Sequence, residues 1–358
     1  VKHVTNQLVR LYPGQQYEHV REFLDVFQSH HIAHAARVYA DEMERAEIDM
    51  CVPLTMNLFN AAPRSRDTHI LEYEDQVLHT ALEAAKHPWM VWPFVMFDPR
   101  RPNALEIVQH ALTRCGCIGV KMYPALGYHP DPDETAHAND ADQLRKLYDI
   151  CRDGRVPITT HASTGGAYST ELTPAQACRY TEIDNWERPI REYGLKVNFA
   201  HFGGNYIDNK ASQSWRAKII NLMRRTHDGS MRGRVFADLS YQELAFDPKH
   251  KHQYFKDLKD ALQDKAVAAS VLFGTDWNMT AHTWTESEYI TPFRDAESGA
   301  IPQLERAFTE NPLQFLFGGY TIPPSYVKFI KANAPAEKFR DLPNWIVKNG
   351  KTYEVQPQ

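Results

Sequence analysis

The sequence predicts a parallel α/β protein wound as a (β/α)8 barrel, and three observations carry that prediction. Short β-rich runs alternate with amphipathic helical stretches along most of the 358 residues. Several of the β-rich runs are apolar nearly throughout, as expected of strands covered on both faces. Histidine and aspartate collect at the C-terminal ends of those runs, where barrel enzymes place their active sites.

Taken in order, residues 1–31 read as loop and helix, with the look of an insert that follows a first strand. Predicted strands then occupy 49–56, 89–97, 117–123, 157–163, 196–202, 234–241 and 271–277, rich in Val, Ile and Phe. Between them, residues 32–46, 74–86, 104–115, 140–152 and 257–269 carry apolar side chains at three- and four-residue spacing. Helices of that length between strands call for parallel crossovers. No Gly-x-Gly-x-x-Gly turn follows an early strand, so an open dinucleotide-binding sheet lacks its phosphate grip. Seven strands are one short of a closed barrel, and strand 1 is expected upstream of residue 1. The barrel is expected to span 1–319. Residues 320–358 then form a short C-terminal appendage with a helix and, around Asn349-Gly350, a hairpin.

Composition narrows the function. The net charge is −5, with 43% hydrophobic and 24% charged residues, so nothing favours nucleic acid or an anionic membrane as partner. No apolar run reaches the ~18 residues a membrane span requires. The most apolar stretch, 89–97, is interrupted by Pro93 and closes on Asp98-Pro99, which suits a buried strand. Five cysteines in a chain this long do not build a disulfide framework, and Cys115 and Cys117 fit neither a zinc knuckle nor a redox pair. Reduced, buried thiols and a cytoplasmic location are expected. The remaining partner class is a small-molecule substrate.

Strand ends supply the chemistry. In Pro157-Ile-Thr-Thr-His161, alternation sets Thr159 and His161 on one face. A lone histidine there is more often a satisfied core or loop residue. However, Lys196-Val-Asn-Phe-Ala-His201 repeats the arrangement on the next strand, and Val271-Leu-Phe-Gly-Thr-Asp276 on the last. Two imidazoles and a carboxylate are ligands that Zn²⁺ or a similar divalent ion accepts. Such an ion acidifies water and polarises a carbonyl, and an adjacent aspartate can take the proton. Lys121 shares a face with Gly119, and in an apolar strand it needs a charge partner unless it reaches solvent at the strand end.

Tyr123, Tyr128, Ser163, Tyr206 and Trp277 fall on βα loops and either line the pocket or simply pack. Gly203-Gly204 suits a close backbone approach or a plain turn. Asp238 reads as support for the metal shell or as a barrel-end hydrogen bond. The basic run 216–225 reads as a solvated helix face.

The segments Pro157-Ile-Thr-Thr-His-Ala-Ser163, Asn198-Phe-Ala-His-Phe-Gly-Gly204, Leu272-Phe-Gly-Thr-Asp-Trp277 and Asn311-Pro-Leu-Gln-Phe-Leu-Phe317, with Pro93 to Pro102 and Gly119 to Pro124 before them, occur in an order and spacing that resembles the amidohydrolase-2 branch of the amidohydrolase superfamily, metal-dependent TIM barrel hydrolases and decarboxylases. The likeness runs from about Tyr39 to Phe317. It implies His161 as a metal ligand, His201 as a second ligand or acid–base, and Asp276 as the metal-binding residue that activates water. It also implies a His-x-His pair ending strand 1. His3, His30, His31 and His34 lack that spacing, so the pair is expected upstream of Val1.

The implied cofactor is a divalent metal, zinc first, with manganese or iron as alternatives. A substrate-binding role is implied for Lys121, with carboxylation ranked below substrate contact, and is expected of Tyr123, Ser163 and Trp277 from their place on the βα loops; a homodimer is the oligomer the family suggests. The expected reaction is hydrolysis of a small amide, lactone or ester. Its rivals are non-oxidative decarboxylation or hydration of an aromatic or unsaturated carboxylic acid, and a metal-free binding barrel.

Overall fold

The computed structural model describes residues 32–57, 60, 73–164, 166–204, 214–299, 301–318 and 321–340. Six parallel strands, β1 (Phe94–Phe97), β2 (Gly119–Met122), β3 (Ile158–Thr160), β4 (Lys196–Phe199), β5 (Arg234–Asp238) and β6 (Val271–Leu272), lie side by side in chain order. Helices supply the crossovers. Among the described residues, those of eight residues or more are α1 (Ile32–Arg45), α2 (Tyr73–Lys86), α3 (Ala104–Arg114), α4 (Ala138–Asp153), α5 (Pro174–Thr181), α6 (Trp215–His227), α7 (Lys251–Leu262), α8 (Glu286–Gly299), α9 (Glu310–Phe317) and α10 (Pro324–Asn333). This is the expected barrel architecture. Among the described residues the sheet does not close on itself.

The strand predicted at 49–56 is reduced to two parallel bridges beside β1, Cys51 with Val91 and Leu54 with Phe94. Cys51 N–H donates to Met90 O, Trp92 N–H to Cys51 O, Phe94 N–H to Pro53 O and Thr55 N–H to Phe94 O. The missing rung is the one Pro53 would donate, since proline has no N–H. The helix predicted at 257–269 also needs correction. α7 starts earlier, at Lys251, and ends at Leu262, after which the Asp264 side chain caps the short turn Lys265–Ala268. Serine- and aspartate-type residues favour such caps over helix interiors.

Alternation along the strands sorts the barrel interior into layers. Phe94, Phe236 and Leu272 join Phe315 of α9 in an apolar cluster. Gly119 pairs with Phe94 across the ladder, and a Cβ there would lie 2.2 Å from the Phe94 ring, so only glycine admits that ring. Two residues further along the strands, the layer changes to Lys121, Thr159, Asn198 and Asp238, all buried. Lys121 is in register with Thr159, and Thr159 with Asn198. Beyond these, at the strand ends, come His161, His201 and Asp276.

α10 packs against α2 and α3. Its Tyr326 stacks on Trp92 at 4.1 Å and accepts the Trp89 N–H at 3.1 Å, so this helix of the tail is built onto the barrel. The five cysteines are free, with Cys115, Cys117 and Cys151 buried. Among the described residues no helix is long and apolar enough to cross a membrane. The predicted hairpin near 349–350, the N-terminal insert with His3, His30 and His31, and Tyr206 lie outside the described residues.

Candidate active site

At the end of β3, the His161 N–H donates to Met122 O at 3.1 Å, which prolongs the ladder by one bond and fixes the imidazole at the barrel mouth. The ring stacks on Tyr123 at 4.3 Å and meets His201 edge-on at 5.1 Å. Both histidines are buried. Tyr123 Oη accepts the Ala167 N–H at 3.1 Å, and burial pushes its phenol up. Gly166, at φ +95°, lies over this pair: a Cβ there would come 2.4 Å from Tyr123 Oη and 2.8 Å from His161 Cε1. Ser163 is tucked against Gly204, whose Cβ would lie 3.3 Å from its Oγ. Tyr128 is structural, accepting the Tyr123 N–H and donating to Phe97 O.

β4 ends in an unusual turn. His201 and Phe202 have φ of 65° and 47°, the left-handed region that costs an ordinary residue roughly 1–2 kcal/mol. Several bonds hold the turn. Asp238 Oδ1 accepts the His201 N–H at 3.0 Å, and Gln242 Nε2 and the Gly204 N–H donate to His201 O, each at 2.8 Å. Arg216 of α6 donates to Phe202 O, Gly204 O and Gln242 Oε1 at 3.3–3.4 Å, with its guanidinium over the Phe202 ring. The reading of 216–225 as a solvated face is therefore corrected at its first residue, because Arg216 is only 1% exposed. Lys218, Arg224 and Arg225 do lie in surface ion pairs, with Asp184, Asp264 and Glu187.

Asp238, at the end of β5, is the hub of this region. Beyond the His201 N–H it accepts Asn198 Nδ2 at 2.7 Å, the Ser240 N–H at 3.1 Å and the Ser240 hydroxyl at 2.5 Å. Ser240 Oγ in turn stands 3.0 Å from His201 Nδ1.

After β6, Asp276 adopts φ 59°. Burial raises its carboxyl, against the pull of His201 and Lys121 and with a push from Asp238. Burial lowers Lys121 to about 8, opposed by Asp276 and Asp238. Lys121, His201, Asp238 and Asp276 thus share one electrostatic neighbourhood. Trp277 packs its ring on Tyr39 of α1 at 4.6 Å, which makes it a support for α1 at the rim. Thr275 Oγ1 donates to Glu286 Oε1 at 2.8 Å, and Glu286, at the start of α8, is pushed up to about 7 by burial, with Glu42 adding.

Sequence reasoning ranked Asp238 low and missed Ser240, Gln242, Arg216 and Glu286. The spacing Asp238-Leu-Ser240 on one face of a strand end was the available signal for one of them. The others reach the site through contacts distant in sequence.

Two facing imidazoles and a carboxylate in the field of one of them have the donor chemistry of a divalent-metal site. Among the described residues, though, no three of His, Cys, Asp and Glu converge as a ready-made ion cage. The Gly166 backbone packs against the edge of His161, where a Cβ would come 3.0 Å from Nε2.

The sequence matches the family described as Amidohydrolase over residues 26–317. The chain belongs to that amidohydrolase family. Members are generally metal-dependent enzymes. Solved structures similar to this chain include an uncharacterized TIM-barrel protein from Bordetella bronchiseptica, 20% identical over 78% of this chain and 82% of that one, TM-score 0.54. A putative 2-pyrone-4,6-dicarboxylic acid hydrolase from Pseudomonas putida is 19% identical over 78% and 86%, TM-score 0.52. An amidohydrolase from Burkholderia multivorans with bound zinc is 10% identical over 78% and 87%, TM-score 0.50. These likenesses establish the barrel fold. No curated protein matches this chain.

Proposed function

We propose that this chain is a metal-dependent hydrolase of a small carbonyl substrate, an amide, lactone or ester, that carries a carboxylate. The observation that carries the reading is the placement of His161 and His201, rings 5.1 Å apart at neighbouring strand ends, with Asp276 in electrostatic contact with His201. His161, His201 and Asp276 would hold a divalent ion, zinc first, with manganese or iron as alternatives. An ion there supplies a Lewis acid that acidifies water and polarises a carbonyl.

The chain's own groups do the rest. The Asp276 carboxyl, raised by burial, is suited to accept the proton of an attacking water. Lys121, buried with its ammonium over the Tyr123 ring at 5.4 Å and in the field of Asp276 and Asp238, is suited to a substrate carboxylate. The stacked Tyr123–His161 pair offers a flat wall beside it. The same lysine supports a second reading, non-oxidative decarboxylation, in which the carboxylate it holds is the reacting group.

Metal content per chain, measured by plasma mass spectrometry without chelator or metal-affinity tag, tests the reading with Asp276→Asn and His161→Ala beside the wild type. About one or two equivalents, falling in both variants, are expected for such a site. Absence of metal in the wild type after reconstitution with zinc and manganese overturns it. Lactone and amide hydrolysis assayed against CO₂ release from aromatic carboxylates then separates the two reactions.

A further inference from the structure

We propose that Ser240 and Asp238 are positioning residues that hold His201 as its Nδ1–H tautomer, so that Nε2 faces the site as a lone pair. The inference deepens the proposed function in its consequence for metal affinity, while the tautomer itself stands apart from any reaction.

The argument is a count of protons and acceptors. Ser240 Oγ has one proton and two neighbours, Asp238 Oδ1 at 2.5 Å and His201 Nδ1 at 3.0 Å. Oδ1 already accepts the N–H groups of His201 at 3.0 Å and Ser240 at 3.1 Å, so it sits in the structure as an acceptor. The hydroxyl proton therefore goes to Asp238, the shorter of its two contacts, and the oxygen is left to accept from His201. The other neighbour of Nδ1 is Ser240 O at 3.3 Å, a carbonyl that can only accept. Both partners of Nδ1 are acceptors, so Nδ1 carries the proton. In a neutral imidazole Nε2 is then bare.

Free histidine prefers the opposite tautomer, with the proton on Nε2, so the site reverses the intrinsic preference. It does so in a buried setting, where an unmet N–H or lone pair is costly. The chain Asp238–Ser240–His201 also runs through the backbone turn it stabilises, because the same Oδ1 that receives the hydroxyl receives the His201 N–H. Asn198, bonded to Oδ2 at 2.7 Å, fixes the carboxylate from the other side. Arg216 and Gln242 hold the turn by its carbonyls and their bonds do not reach the imidazole, so the contacts to Nδ1 are those of Ser240, whose hydroxyl Asp238 orients. Second-sphere partners of this kind orient metal-binding histidines and raise their affinity for the ion.

The experiment uses the full chain labelled with ¹⁵N-histidine and two-bond ¹H–¹⁵N correlation spectra of the metal-free protein, with the His201 pattern assigned by its loss in His201→Gln. The wild type is expected to show a protonated Nδ1 and a bare Nε2. Ser240→Ala moves the pattern toward Nε2–H, and Ser240→Thr, which keeps the hydroxyl, restores it. Zinc affinity, measured by competition with a chromophoric chelator, falls about 10–100-fold in Ser240→Ala and stays near wild type in Ser240→Thr. A wild-type spectrum with Nε2 protonated overturns the inference even where a variant fails to fold, as does an unaltered pattern in folded Ser240→Ala. A bare Nε2 in a wild type that binds no zinc upholds the tautomer and overturns the proposed function instead.

Discussion

Replacing Glu286 by glutamine should change how stability depends on pH far more than it changes stability in acid. Glu286 is 1% exposed, and its carboxyl stands at about 7 in the fold against an ordinary 4.5. Burial is the main cause, Glu42 adds to it, and the hydrogen bonds from Thr275 and Tyr39 oppose it. Between these two values the folded protein keeps a proton that the unfolded chain has released. Raising the pH through that window therefore destabilises the fold, and the penalty is complete above about 7. The gap between 4.5 and about 7, at about 1.4 kcal/mol per pH unit, is worth roughly 3 kcal/mol.

Glutamine keeps the shape and an acceptor for Thr275 but cannot ionise. Urea denaturation of both proteins with chelator present, at about pH 4.5 and about pH 8, reads the effect as a difference in extrapolated stability. The glutamine variant should gain about 3 kcal/mol on the wild type between the two conditions. Parallel pH profiles would refute the reasoning. A variant that loses ground as the pH rises would show that the folded protein favours the carboxylate.

Two further outcomes follow from the turns around the site. Gly166→Ala places a Cβ 2.4 Å from Tyr123 Oη at φ +95°, so a loss of about 1–2 kcal/mol and faster carbethoxylation of His161 are expected. An unchanged melting temperature together with unchanged modification would contradict the close packing. Arg216→Lys leaves an ammonium to serve three acceptors that a planar guanidinium reaches together, and about 2–4 kcal/mol should be lost in urea denaturation. A midpoint equal to wild type would mean that Arg216 does not hold the His201 turn.

The βα alternation was legible because periodicity is a local property, and six of the seven predicted strands form the sheet in chain order. The seventh run, 49–56, has the composition of a strand, yet a single proline removes the rung that would have made it one. The helix at 257–269 misled because Asp264 prefers to cap a new turn over continuing an old one. Arg216 misled for a different reason. Its neighbours Lys218, Arg224 and Arg225 are surface cations, and charge alone does not reveal which member of a basic run turns inward.

By itself the sequence determined which residue types stand at the strand ends. Alternation and strand length set the positions of His161, His201 and Asp276 at one end of the sheet, whatever the later packing. Only the tertiary structure decided how those side chains are held and charged. The left-handed turn at His201 persists through bonds from Asp238, Gln242 and Arg216, which lie 37, 41 and up to 14 residues from the groups they hold. The shifted protons of Lys121, Asp276 and Glu286 arise from burial, which no residue carries in its own letter. Local pattern is written into neighbouring residues, whereas desolvation and tautomer depend on which distant groups the completed barrel brings within 3 Å, and that is a property of the fold.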